Sequence, residues 1–242
     1  MGNVGNVELE SARVLRLLRD SILAGVRRPG DRLIEREIAD ELAVSRLPVR
    51  EAIKSLVNEG LLLARPRSWA VVRQFTAQDV DDIAEVRDAI EVVVFEMAAR
   101  RHTADGLAKV KAVLDREFAA AKAGNAPAAH VAGAEFHLLM AELAQNATVD
   151  EILGMMRSRL ILLFKEHEDL LSMAEDHARI YESLALRDLP TLRLRVQRHL
   201  RAGTETARRR LAQLTAATAE RREASTATAD EEILEGAPAA GE

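Results

Sequence analysis

"SRLPVREAIKSL", residues 45–56, places Arg46, Arg50 and Lys54 at every fourth position, while Val49, Ile53 and Leu56 fall on another side. On a helix of 3.6 residues per turn this spacing makes one basic stripe and one apolar stripe. Ser45 stands where an N-cap is favoured, and Pro48 falls in the first turn, where its missing N–H costs nothing. Gly60 supplies the C-terminal stop.

Working outward, "AVS" predicts a turn, preceded by a short helix with Ile38, Ala39 and Leu42 turned inward. "GVRRPGDRL" breaks the pattern with Pro29 and Gly30, and residues 8–24 predict a first helix carrying Leu9, Val14, Leu17, Leu18 and Ile22. On the other side, "LLLARPRSWAVVRQF" predicts two short strands around a basic tip, Arg65 to Ser68. Helix, turn, basic helix and two-stranded wing describe a winged helix-turn-helix, whose second helix fits the major groove of DNA. Arg46 and Arg50 can offer a planar fork to guanine or phosphate, which Lys54 cannot. On spacing alone, a three-helix structural domain with a solvated basic face fits equally well.

The whole chain has 242 residues and a net charge of −5. Residues 8–75 hold 13 Lys/Arg against 10 Asp/Glu, whereas residues 76–242 hold 21 against 29. A polyanionic partner is therefore expected at the N-terminal part. There is no cysteine, so neither a disulfide framework nor a thiolate metal site is possible. No apolar run approaches the roughly 18 residues needed to span a bilayer, and the N-terminus lacks a signal-peptide pattern. The expectation is a cytoplasmic protein with no membrane partner.

From Thr76 the chain reads as almost wholly helical, with helices near 77–101, 104–123, 127–145, 149–168, 173–187 and 189–214. With 3% aromatic residues and abundant Ala and Leu, it suits a helical bundle. The fold class expected is mainly α: a winged helix-turn-helix over 8–75, an all-α bundle over 76–214, and a disordered acidic tail over 215–242.

The stretch "ILAGVRRPGDRLIEREIADELAVSRLPVREAIKSLVNEGLLLARPRSWAVV" closely resembles the N-terminal domain of GntR-family transcriptional regulators. The resemblance implies operator contacts by Arg36, Ser45, Arg46, Pro48 and Arg50, together with the wing tip, where Arg65 and Arg67 lie; Lys54 joins them from the basic stripe. Leu47 stands where that family usually has a small hydroxyl residue, and Trp69 where a wing glycine is usual. The indole is expected either to stack at the duplex edge or to pack onto the domain.

"IAEVRDAIEVVVFEMAAR", "AEFHLLMAELAQNATVDEIL" and "EDHARIYESLALRDLPTLRLRVQRHL" resemble the FCD ligand-binding domain of the FadR-like branch. In many members of that branch three histidines and an aspartate hold a divalent metal, and the histidines match His137, His177 and His199. Imidazole donors suit Zn²⁺ or Ni²⁺, and an open position can take a carboxylate. The aspartate should stand four residues before His137, where this chain has Gly133. Glu135 is turned away from that position, and His130 sits about 10.5 Å along the axis from His137. Three histidines completed by water or effector, and a metal-free pocket in which they bond the effector directly, both remain open. Arg87 can pair with an effector carboxylate or form a salt bridge with Glu91 at i+4. His102 and His167 read as surface residues.

The function expected is a ligand-responsive regulator, a repressor rather than an activator. It would bind a near-palindromic operator as a homodimer, because one short helix covers too few base pairs for specificity. Its effector would be a small organic acid. No enzyme activity is expected: a hydrolase built on the histidines would lack an HExxH or comparable motif. An architectural DNA-binding protein without a sensor is the other alternative.

Overall fold

The computed structural model describes residues 4–66, 69–164 and 169–235, and side chains from residue 9 to 216 within those ranges. The N-terminal part begins with α1 (Val4–Leu23), followed by β1 (Arg32–Ile34), α2 (Glu35–Leu42) and α3 (Arg46–Asn58). It ends with β2 (Leu62–Arg65) and β3 (Trp69–Val72). Val14, Leu18 and Ile22 of α1 are buried against α3, whereas Leu9 and Leu17, also expected inside, lie 74% and 41% exposed. Four-residue spacing fits one contact line on a partner helix, and the two outer leucines fall off it.

Turn chemistry holds α2 and α3 in their angle. Ala43 caps α2 in the left-handed region at φ 52°, and Ser45 is the N-cap of α3 by position, with no side-chain cap bond. The predicted hydroxyl cap is therefore not formed, and α3 is fixed instead by Pro48, Val49, Ala52, Ile53 and Leu56, all buried. At the other end Gly60 has φ +72°, and a Cβ there would stand 3.0 Å from Arg159 Cδ. Both the backbone angle and the close approach call for glycine.

The wing is three-stranded rather than two-stranded, ordered β1-β3-β2 and antiparallel throughout. Three residues, Arg32 to Ile34, form the missed strand, too short a run to show alternation in sequence. Trp69 is half-buried, with the Arg32 guanidinium 4.9 Å from its ring centroid. The indole thus packs onto its own domain.

The remainder is helical: α4 (Ala77–Arg101), α5 (Ala104–Lys122), α6 (Ala126–Ala144), α7 (Ala147–Phe164), α8 (Leu170–Ala185) and α9 (Leu189–Glu235). A capping box between Thr76 and Asp79 starts α4, and Thr103, Asn125 and Asp169 cap α5, α6 and α8. These caps satisfy first-turn N–H groups and set the helix starts within three residues of the periodic pattern. The bundle core gathers Phe95, Phe136, Met140, Ile180, Leu184 and Leu192, all at most 1% exposed. Each such side chain contributes about 1.5–3 kcal/mol on burial.

Helix α9 extends to Glu235, into the segment expected as an acidic tail. One expectation is corrected here. His102 is not a plain surface residue: it is half-buried at the C-cap of α4, and its Nε2 is buried without a hydrogen-bond partner among the described residues. His167 lies outside the described residues.

Helix α7 joins the two parts. Its Leu162 packs against the winged core, while Met156, Leu163 and Phe164 pack with Phe75, Val80 and Ile83. Ser158 Oγ donates to Glu59 Oε2, which also accepts from Arg19 Nε at 2.9 Å. Burial pushes the Glu59 carboxyl up, but the bonds from Arg19 and Ser158 outweigh it and hold it below its ordinary value.

Candidate functional site

The outer face of the winged domain presents Arg36, Ser45, Arg46, Arg50, Lys54 and Arg65, all exposed. Pro48 departs from the expectation: it is buried, so its ring shapes the first turn instead of offering a contact surface. Arg67 lies outside the described residues. The α3 arginines are not bare. Arg50 bonds Glu35 through Nε at 3.1 Å and Nη2 at 3.0 Å, and Arg46 Nη2 lies 3.6 Å from the same carboxylate. That hydrogen bond to Glu35 raises the Arg50 pKa.

Glu35 is buried, whereas the Arg46 and Arg50 side chains remain 57% and 45% exposed. One carboxylate beside two guanidiniums leaves a net positive charge and holds the Arg50 fork by hydrogen bonds, whereas Arg46 makes only the longer ion pair. Lys54 pairs with Glu51 at 2.9 Å, a solvent-screened i,i+3 contact of small worth. Sequence reasoning missed Glu35; a carboxylate opening the short helix before the basic one was the available signal.

The second site lies inside the bundle. Helix α6 carries His137, α8 carries His177 and α9 carries His199, each on its inward stripe. His199 Nε2 stands 3.3 Å from His137 Nε2 and 3.3 Å from His177 Nε2. Donor atoms of all three lie within 4.8 Å of one another. His130 does not join them, as its axial offset implied.

The outer nitrogens are held by carboxylates. His137 Nδ1 pairs with Glu91 Oε2 at 2.8 Å, and His177 Nδ1 with Glu117 at 2.9 and 3.0 Å. A carboxylate at Nδ1 fixes which ring nitrogen faces inward and raises its basicity. Burial pushes Glu91 up, but Arg87 and then His137 outweigh it and hold the carboxyl at about 2. Burial lifts Glu117 to about 7, with His137 opposing, and burial drives His177 well below its ordinary value.

Beside the histidines lies a cavity of about 90 Å³ whose lining includes Arg87, Gly133, Leu138, Leu153, Phe164 and Met173. Arg87 is buried, donates from Nε to Glu91 at 2.7 Å, and lies 4.6 Å from the Phe164 centroid. The salt bridge expected between Arg87 and Glu91 is formed, while Arg87 Nη1 is buried without a hydrogen-bond partner among the described residues. A buried guanidinium nitrogen at a cavity wall calls for a hydrogen-bond acceptor, which a carboxylate or a water molecule can supply.

The donor set also fits a cation. A metal held by imidazoles at about 2.0–2.1 Å in tetrahedral geometry separates its nitrogens by roughly 3.3–3.4 Å, close to the two spacings found. Three imidazole nitrogens converging on one point repel unless a proton or a metal ion lies among them. Gly133 faces the cluster with no side chain, so the expected aspartate has no counterpart at that position. Glu117 was missed from sequence, although it sits on a buried stripe with Val110, Val113, Leu114 and Ala121 where a carboxylate stands out.

A winged helix-turn-helix carrying an exposed arginine stripe, joined to a helical bundle with a mostly apolar pocket beside the buried Arg87 and Glu91, defines a DNA-binding transcriptional regulator. Residues 10–72 match the family described as bacterial regulatory proteins, gntR family, and residues 82–202 match the FCD domain. The chain belongs to the GntR family, with an FCD domain following its DNA-binding head.

It is 25% identical over 187 residues to the Bacillus subtilis HTH-type transcriptional regulator YdhC, covering 75% of this chain and 84% of that protein. It is 27% identical over 174 residues to the Escherichia coli HTH-type transcriptional repressor RspR, covering 66% and 76%. Among solved structures, a GntR-type regulator from a Rhodococcus species superposes with TM-score 0.63 at 26% identity, covering 83% and 96%. Escherichia coli McbR/YncC shares the fold, at TM-score 0.73 and 20% identity over 83% of this chain and 98% of that one. Among the described residues no helix is long and apolar enough to cross a membrane.

Proposed function

We propose that this chain is a cytoplasmic, ligand-responsive repressor that binds a near-palindromic operator as a homodimer and senses a small organic acid in the α4–α9 bundle. The observation that carries the sensing is the buried, unpartnered Nη1 of Arg87 at the wall of a cavity shared with His137 and His177. A carboxylate there would take that donor, while the apolar lining from Leu138, Leu153 and Phe164 would receive the body of the molecule. An architectural protein without a sensor would have no use for buried charges around an internal space.

His137, His177 and His199 would hold a divalent metal, Zn²⁺ or Ni²⁺, which supplies an electrophilic anchor for a carboxylate oxygen. The chain's own residues do the rest: Glu91 and Glu117 fix the imidazoles, and Arg87 orients the acid. On the DNA side, Arg46 and Arg50 would reach base edges, with Ser45, Arg36, Lys54 and Arg65 on the backbone. Pairing two heads doubles the sequence read. Filling the cavity would displace α7, whose Ser158 and Leu162 touch the winged domain, and so reset the spacing of the heads.

The test is a mobility shift with the chain's own upstream DNA, with Arg46→Ala and Arg50→Ala as controls, repeated with and without small carboxylates and Zn²⁺. Retardation that the arginine variants lose and a carboxylate reverses supports the reading. Absence of retardation, or retardation indifferent to every carboxylate that raises the melting temperature, overturns it.

A further inference from the structure

Gly133 and Glu117 belong together. An added Cβ at Gly133 would stand 3.1 Å from Glu117 Oε1, 3.4 Å from Met173 Cε and 3.5 Å from His177 Cε1. The space that a side chain at 133 would fill on α6 is therefore bounded by a carboxylate arriving from α5. That carboxylate is completely buried and pairs with His177 Nδ1 through both oxygens. Nothing in the packing of an apolar core requires an acid there, and a buried acid is retained against a large desolvation penalty.

We propose that Glu117 is the positioning carboxylate of a divalent-cation site formed by His137, His177 and His199, and that residue 133 is glycine because this carboxylate closely borders its side-chain space. This rests on the metal reading above. Glu117 does not reach the metal side of the ring: it accepts from Nδ1–H of His177 and so turns the Nε2 lone pair toward the other two histidines. With an ion bound, the ionised Glu117 carboxylate would also offset one of its positive charges, as Glu91 would through His137. The coordination position left without an aspartate is thereby available to water or to a carboxylate from the effector.

The experiment uses the full chain stripped of metal by chelation, with Zn²⁺ affinity measured against a chromophoric chelator and Co²⁺ followed by its visible absorption. Glu117→Gln keeps the shape of the side chain, but its amide can donate as well as accept and no longer specifies the His177 tautomer. It is expected to weaken Zn²⁺ binding about 10–100-fold and to change the Co²⁺ spectrum. Gly133→Ala leaves every titratable group in place yet presses a methyl against Glu117 Oε1. It is expected to lose affinity in the same direction and to a smaller extent, while the metal-free protein melts no lower, since alanine favours the helix.

Wild-type affinity in both variants overturns the proposal and leaves the metal reading standing. So does a loss of affinity that only tracks a lower melting temperature of the metal-free variants, which would make Glu117 a packing residue. Absence of Zn²⁺, Ni²⁺ and Co²⁺ binding by the unaltered chain overturns both readings.

Discussion

Ser158 Oγ donates a hydrogen bond of 2.5 Å to Glu59 Oε2, tying the middle of α7 to the C-cap of the basic helix α3. Arg19 completes the contact by pairing with the same carboxylate. The Glu59 side chain is only 15% exposed there, so solvent screens these bonds little.

This contact should respond to acid. Glu59 is held below its ordinary value of 4.5, so between its folded value and 4.5 the unfolded chain binds more protons. Its stabilising contribution is complete above pH 4.5 and is lost as pH falls through the folded value. Glu59→Gln is expected to cost about 1–3 kcal/mol at neutral pH. In thermal melts the gap between variant and wild type should close below pH 4.5; a gap that stays constant would show that the charge does not contribute.

On the proposed reading, DNA affinity divides between the α3 side chains. Arg46→Ala should cost about 1–3 kcal/mol on the chain's operator and much less on unrelated duplex, because a guanidinium fork reads base edges. Lys54→Ala should weaken both and lower the slope of log affinity against log salt by about one, as expected for one phosphate contact. Titration of labelled duplexes at several salt concentrations separates the two patterns.

Arg87 can be tested without unmaking its pair with Glu91. Arg87→Lys keeps a cation beside that buried carboxylate but removes the second arm of the fork. Loss of one charge-assisted hydrogen bond, about 1.5–3 kcal/mol, should weaken a carboxylate effector by roughly 10–100-fold. Retardation of operator DNA without effector should stay unchanged. Equal thermal shifts in variant and wild type would remove Arg87 from the ligand site.

Phe136 is fully buried and stacks on His177 with centroids 4.4 Å apart. Phe136→Ala should destabilise the metal-free protein by about 3–5 kcal/mol in urea unfolding, from lost burial plus the cavity left behind. Phe136→Leu should cost much less. Similar losses for the two would mean that the ring's volume is not what the core requires.

The main lines of this fold were legible because apolar periodicity is sustained along the helices. Thr76, Thr103 and Asn125 stand where the structure starts its helices, and His137, His177 and His199 share the inward stripes that bring them together. What sequence did not carry was pairing across elements. The strand at Arg32 exists because Trp69 to Val71 lie opposite it, and three residues have no period of their own. Glu117 and Gly133 each look ordinary alone, and their relation requires α5 and α6 to be in contact. The bond between Arg50 and Glu35 likewise depends on the crossing of two short helices.

Helix α7 borders the cavity with Leu153, Leu160 and Phe164 and grips the winged head through Ser158 and Leu162. On the proposed reading, a rod with one flank on the effector and another on the reader would work as a lever, and its stiffness would set the gain. Substitutions along α7 that touch neither acid nor duplex should therefore slide the dose–response curve while leaving both intrinsic affinities where they were. In that arrangement, sensitivity can be retuned without rebuilding either end.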